Sequence, residues 1–223
     1  MLRMFLKRQM CNRGVCYIVG AGNTEGIYIN REGSFVIAAD GGFESLGDTT
    51  ADIVVGDFDS LGFVPNHPKT VVLPEEKDDT DTAYAVSLGI KKGFKTFVIY
   101  GGVGGRPDHT LANISLIADL SLRGYRGYLI GEGFITTAVT NGKIKLPVNA
   151  NGVVSVFSFS DKCEGVNIEG LKYTLEDYTL RSDKALGVSN EFVGKEGSVS
   201  AKKGTLIIMW EEKNLKKFID SLH

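Results

Sequence analysis

Four short apolar runs in the first half of the chain each stop at a turn built from glycine. They are Val15–Val19 before Gly20-Ala21-Gly22, Phe35–Ala39 before Asp40-Gly41-Gly42, Ile53–Val55 before Gly56-Asp57-Phe58-Asp59-Ser60, and Thr96–Tyr100 before Gly101-Gly102-Val103-Gly104-Gly105. Continuous apolar runs this short, rich in β-branched residues, have the texture of strands buried on both faces. Val71–Leu73 and Gly127–Ile130 add two more. Between them the period becomes helical. Ala83, Val86, Ser87 and Ile90 fall on one face ahead of Gly93 as a C-cap, and Leu111, Ile114, Ile117 and Leu120 make the buried side of a second helix. This alternation predicts an α/β domain with a mostly parallel sheet, whose ligands gather at the carboxyl ends of the strands. The glycine turns lie at those ends.

The turns also carry chemistry. In an extended segment Asp57 and Asp59 point to the same side, roughly 6.5–7 Å apart. Paired acids repel unless a cation sits between them, and a hard ion with oxygen ligands, Mg²⁺ above all, resolves the conflict. A plain turn with two solvated acids is the alternative. Lys77-Asp78-Asp79-Thr80-Asp81 opens the first helix with more acids than capping requires, while Lys77 is suited to a phosphate. Four glycines in five positions, at 101–105, are costly in backbone entropy. Arg106 then supplies a permanently charged fork suited to phosphate, with Asp108 two residues on. His109 reads as a hydrogen-bonding residue at a helix start. The Gly20 turn does not complete a dinucleotide fingerprint, because Glu25 stands at its third glycine, and no P-loop occurs.

From about Phe134 the pattern changes. Asn141-Gly142 signals a hairpin between Thr136–Thr140 and Lys143–Leu146, and Val153–Phe159, Ser198–Ala201 and Thr205–Trp210 alternate in polarity. No helical pattern returns before Leu215–Leu222. The expected layout is a loose N-terminal extension over 1–14, an α/β nucleotide-binding catalytic domain over 15–137, and an all-β sandwich over 138–223. A net charge of −2 gives no support for a nucleic-acid or membrane-surface partner, and no apolar run approaches a membrane span. Cys11, Cys16 and Cys163 lack metal-ligand spacing, so free thiols in a reducing, cytoplasmic setting are expected.

Six stretches, in order, resemble the bacterial type of the thiamine pyrophosphokinase family. They are Ala38–Gly42 (AADGG), Gly56–Ser60 (GDFDS), Lys77–Asp81 (KDDTD), Gly101–His109 (GGVGGRPDH), Gly170–Leu175 (GLKYTL) and Gly187–Phe192 (GVSNEF). The resemblance spans about Tyr17 to Trp210, and any one motif alone is weak. It implies transfer of a pyrophosphoryl group from ATP to the thiamine hydroxyl, releasing AMP, by a homodimer with active sites at the subunit interface. By the same resemblance Asp57, Asp59 and Asp81 would hold Mg²⁺, and Arg106 would stabilise the transferring group. Asp108 would position Arg106 or the substrate. Asp40, Gly41, Lys77, Thr80 and Arg106 would line the ATP site, and Tyr173, Ser189 and Asn190 the thiamine site, the last domain serving thiamine binding and dimerisation. Many eukaryotic members carry Trp where Tyr173 stands. Two rival readings share the Asp-x-Asp or the pocket: a nucleotide-sugar glycosyltransferase, and a non-catalytic nucleotide or thiamine sensor.

Overall fold

The computed structural model describes residues 14–223, apart from Glu25, Asp48, Thr49, Ser60, 75–78 and Asn149. In chain order the elements are β1 (Val15–Val19), β2 (Phe35–Ala39), α1 (Gly42–Ser45), β3 (Ile53–Gly56), β4 (Thr70–Val72), α2 (Asp81–Lys91), β5 (Thr96–Tyr100), α3 (Pro107–Leu122), β6 (Arg126–Gly131) and β7 (Phe134–Thr140). Then follow β8 (Lys143–Lys145), β9 (Val153–Ser158), β10 (Lys162–Glu169), β11 (Leu175–Arg181), β12 (Asn190–Glu191), β13 (Ser198–Ser200), β14 (Thr205–Glu211) and α4 (Leu215–Asp220).

Six parallel strands in the order β4-β3-β2-β1-β5-β6 form the first half. The order reverses between β1 and β5, and a crevice at such a point is where doubly wound sheets bind ligands. Both faces of this half are covered, which accounts for its unbroken apolar runs. Cys16, Ile18, Ile99 and Leu129 face α2 and α3, meeting Ala85, Val86, Ile117 and Leu120. On the opposite face Tyr17, Val19 and Tyr128 share a cluster with Phe218 and Ile219 of α4. Burial raises the Cys16 thiol far above its ordinary range, so this thiol is inert. Both long helices end in a Schellman motif. At α2 the Gly93 N–H donates to Ile90 (2.8 Å) and the Phe94 N–H to Gly89 (3.1 Å), with Gly93 at φ +90°. The expected cap is therefore present.

The sheet does not stop where the parallel strands end. β7 pairs antiparallel with both β6 and β14, and β9 and β12 follow, giving ten strands in one sheet. A second sheet, β11-β10-β13-β8, covers the antiparallel half. Cys163, Val166, Ile168, Leu180 and Val199 of the smaller sheet share one buried cluster with Val154, Val156, Leu206, Ile208 and Trp210 of the larger. A mostly parallel half followed by antiparallel strands is thus observed, and residue 138 lies inside β7.

Two local expectations are corrected. Asn141-Gly142 joins no hairpin: β7 belongs to the large sheet and β8 to the small one. Asn141 instead docks on the neighbouring turn, its Oδ1 accepting from the Gly204 N–H at 2.8 Å. The two-residue hairpin is Glu132-Gly133 between β6 and β7, with φ of +53° and +74°, as a type I′ turn requires. In α3, Leu111 is 62% exposed while Asn113, Ile117 and Leu120 are buried. Steps of three residues drift by about 60° each on a helix, so a stripe built from three such steps cannot stay on one face. Among the described residues, no helix is long and apolar enough to cross a membrane.

Candidate active site

The glycine turns after β1 and β5 touch backbone to backbone. A Cβ on Gly22 would run into the Gly101 carbonyl, and one on Gly101 would lie 2.6 Å from the Gly20 oxygen. Gly101 also sits at φ +66°. Only glycine allows this approach, which opens a cavity of about 500 Å³ at the strand-order reversal. Its wall includes Gly20–Gly22, Asp40, Thr80, Asp81, the Gly101–Arg106 turn, His109 and Asn113.

Each acid arrives by a different route. Asp40 ends β2 in a left-handed conformation (φ +50°), its N–H donating to Val55 at 2.8 Å. Gly56 packs directly on it, since a Cβ there would come within 3.0 Å of the Asp40 Cα. Gly41 is the N-cap of α1. Thr80 is the N-cap of α2, its Oγ1 accepting from the Ala83 N–H at 3.2 Å, so Asp81 occupies the first helical position. One carboxylate oxygen each of Asp40 and Asp81 is shielded from solvent.

Asp57 and Asp59 differ from the extended arrangement expected of them. Phe58 between them is 2% exposed and has φ +64°, a costly conformation for a bulky side chain. Sinking that ring into the core inverts the backbone and turns the segment into a bend, in which the Asp59 N–H lies 3.4 Å from Asp57 Oδ1. Neither acid lines the cavity. Among the described residues, no three acidic, imidazole or thiol side chains stand together as a metal-holding group. The donor set still suits Mg²⁺, which keeps several waters and is held by one or two carboxylates plus substrate phosphates rather than by an all-protein cage. Lys77 lies outside the described residues.

Arg106 closes the glycine loop at the cavity mouth and forms a two-pronged pair with Asp108: Nε donates to Oδ1 at 3.2 Å and Nη2 to Oδ2 at 2.6 Å. Both side chains are exposed. The guanidinium's hydrogen bonds hold the Asp108 carboxyl down at about 2. Because this pKa lies below the unfolded value, the pair is intact at neutral pH and is lost only as pH falls through about 2. Carboxyl ¹³C resonances should show Asp108 titrating there, and Arg106→Ala should return it to the ordinary aspartate range. An ordinary titration in the unsubstituted protein would mean that the pair does not persist in solution.

Two further residues line the cavity: His109, which its sequence position marks only as a hydrogen-bonding residue at a helix start, and Asn113, which belongs to none of the sequence motifs. Asn113 is buried and its Nδ2 donates to the Gly102 carbonyl at 2.8 Å, tying the glycine loop to α3. The available signal was spacing, since 109 and 113 stand one turn apart on a helix that follows the loop.

Tyr173, Ser189 and Asn190 lie elsewhere. Asn190 pairs with Val154, and the register row runs on through Trp210, Ile135, Ile130 and Tyr100. Ser189 and Asn190 therefore share the carboxyl edge with the cavity but sit five strand spacings from β5, roughly 24 Å away. Tyr173 is 60% exposed, with the Lys172 ammonium 5.5 Å from its ring centroid.

Two family models match the chain: "Thiamin pyrophosphokinase, catalytic domain" over residues 28–128 and "Thiamin pyrophosphokinase, vitamin B1 binding domain" over 142–206. Thiamine pyrophosphokinase of Bacillus subtilis is 29% identical over 161 residues, covering 69% of this chain and 75% of the relative. Thiamin pyrophosphokinase 1 of Caenorhabditis elegans is 27% identical over 181 residues, covering 76% and 74%. The crystal structure of the B. subtilis protein superimposes with a TM-score of 0.78 at 25% identity, covering 89% of this chain and 99% of that one. That of the Enterococcus faecalis family protein gives 0.77 at 22%, covering 90% and 99%, a likeness of fold.

Proposed function

We infer the chemistry from one premise: this chain belongs to the thiamin pyrophosphokinase family, whose two domain models match it in order. Its activity is transfer of the pyrophosphoryl group of ATP to the thiamine hydroxyl, giving thiamine diphosphate and AMP. The observation that carries the assignment of the nucleotide site is the cavity at the strand-order reversal. Glycine turns there leave main-chain groups accessible to phosphates, beside the α2 N-terminus, Asp81 and the Arg106 fork.

Attack at the β-phosphorus requires the triphosphate to be held in line and its charge offset as the bond to the leaving group breaks. In this reading Asp40 and Gly41 orient the nucleotide, Thr80 fixes the start of α2 against the phosphates, and Lys77 is assigned to the ATP site by the family resemblance alone. Arg106 donates to the transferring group, and Asp108 aims the guanidinium. Asp57, Asp59 and Asp81 would hold Mg²⁺, which when bound would offset phosphate charge. Tyr173, Ser189 and Asn190 serve the thiamine site. The enzyme works in the cytoplasm, a setting supported by the free thiols Cys16 and Cys163. The functional halves are an α/β nucleotide domain over 15–137 and a sandwich over 138–223.

The active enzyme is a homodimer whose sites combine the cavity of one protomer with the Tyr173–Asn190 region of its partner. What supports this is distance, since reacting atoms must approach within about 3–3.5 Å whereas the two regions of one chain are roughly 24 Å apart. Exposed Leu111 on α3, beside the glycine loop, and exposed Tyr173, Leu186, Val188 and Val193 near the sandwich edge, supply apolar surface for the contact. Arg106→Ala and Tyr173→Ala proteins, each with little activity at thiamine concentrations well below the KM of the variants, should complement when unfolded together and refolded. Random pairing leaves one intact site in half of the dimers, so about a quarter of the wild-type activity should return. No recovery would place each site within one chain.

The reaction itself is tested by AMP release from ATP and Mg²⁺ with and without thiamine, with the product identified by mass. Thiamine-dependent AMP and a product heavier by a diphosphate are expected. ATP binding without AMP would favour a sensor, and release of a nucleoside diphosphate from a sugar nucleotide would favour a glycosyltransferase.

A further inference from the structure

Asn190 opens β12 and is 3% exposed. Its side chain makes a reciprocal pair with the main chain of Tyr173: Nδ2 donates to the Tyr173 carbonyl at 2.7 Å, and Oδ1 accepts from the Tyr173 N–H at 2.9 Å. The same oxygen accepts from the Glu191 N–H at 2.9 Å. A primary amide has two acceptor and two donor positions, so both acceptors and one donor are committed within the chain. Neighbouring contacts strengthen the attachment. The Lys172 N–H donates to the Glu191 carbonyl (3.0 Å), Lys172 Nζ pairs with Glu191 Oε1 (2.8 Å), and Leu171 bridges to Phe192. The backbone under Tyr173 is fixed, although its ring stands 60% exposed.

Ser189 is arranged in the opposite way. It is exposed and left-handed (φ +58°), and its main-chain N–H is anchored on Ser155 Oγ at 3.2 Å. Its own hydroxyl makes no hydrogen bond among the described residues. A strained, anchored backbone that displays a hydroxyl is arranged for an external partner. A buried amide already engaged with main chain is not.

We propose that Asn190 is a positioning residue for the thiamine site, clamping Tyr173 so that its ring is held ready for an aromatic ligand, while Ser189 is the member of the pair that touches the ligand. This deepens the thiamine reading above and rests on it. The prime test is a double-mutant cycle on the thiamine KM with Asn190→Ala, Tyr173→Ala and both. Asn190→Ala raises KM about tenfold with kcat within about twofold, and adds nothing on top of Tyr173→Ala, because it acts through that ring. Effects that multiply in the double variant overturn the proposal, since Asn190 would then meet thiamine itself. Amide hydrogen exchange at Tyr173 in the ligand-free wild-type protein is slow if the clamp exists. Fast exchange there overturns the proposal even where the alanine variants fail to fold. If the wild-type protein does not turn thiamine over, the functional reading falls, while slow exchange at Tyr173, lost in Asn190→Ala, still upholds the clamp.

Discussion

Arg106→Ala lowers kcat by about 10³-fold and changes the thiamine KM by less than about threefold. The expectation follows from where the residue stands. Arg106 ends a glycine loop at the mouth of the cavity, which opens off β5, five strand spacings from the β12 strand that holds Asn190 beside Tyr173. In the free protein its fork is occupied by Asp108 and open to solvent, so its charge is screened. Bound phosphates displace that water, and the same guanidinium then acts in a medium of lower dielectric, where donors aimed at developing charge have their largest effect. Arg106→Lys should recover only part of the rate, because a single ammonium cannot engage Asp108 and a phosphate with one rigid fork. Steady-state kinetics at saturating ATP decide the matter. A raised thiamine KM with unchanged kcat would make Arg106 a binding residue only.

The parallel half was legible because its signals are local. Both-face burial writes itself as unbroken runs such as Val15–Val19, glycine marks their ends, and Gly93 terminates α2 through a motif confined to six residues. The antiparallel half depends on partners that no local pattern names. Asn141-Gly142 has hairpin chemistry, yet pairing with β14 on one side and β13 on the other sends its two strands into different sheets. Glu132-Gly133 makes the type I′ turn with a less typical first residue. At the site, the residue types around the cavity were readable, but their conformations were not. Asp57 and Asp59 looked like strand neighbours until burial of Phe58 inverted the backbone between them. The amide of Asn190 looked available for a ligand until Tyr173, seventeen positions away, engaged it from both sides.

Asp59→Asn abolishes at least about 99.9% of turnover at physiological Mg²⁺ while the melting temperature shifts by no more than about 2 °C. Stability is spared because Asp59 is exposed and the bend is held from its other side, by Phe58 in the core and the Leu61 and Gly62 N–H groups on the Phe58 carbonyl (3.1 and 3.0 Å). Removing a charge from a solvated side chain costs such a structure little. The catalytic loss has a separate origin. With no preassembled three-ligand group among the described residues, affinity for the proposed Mg²⁺ would depend on each carboxylate acting together with substrate phosphates. Loss of one charge should therefore appear as a higher Mg²⁺ requirement, partly relieved at high Mg²⁺, as well as a lower maximal rate. Asp57→Asn should behave alike but lose somewhat more stability, since Asp57 is half-buried and its carboxylate faces the Asp59 N–H. Measuring kcat against Mg²⁺ concentration beside a thermal melt separates the two effects. Near-normal turnover in a folded Asp59→Asn protein would remove this carboxylate from the metal site and leave Asp40 and Asp81, which line the cavity directly, as the acids to test next.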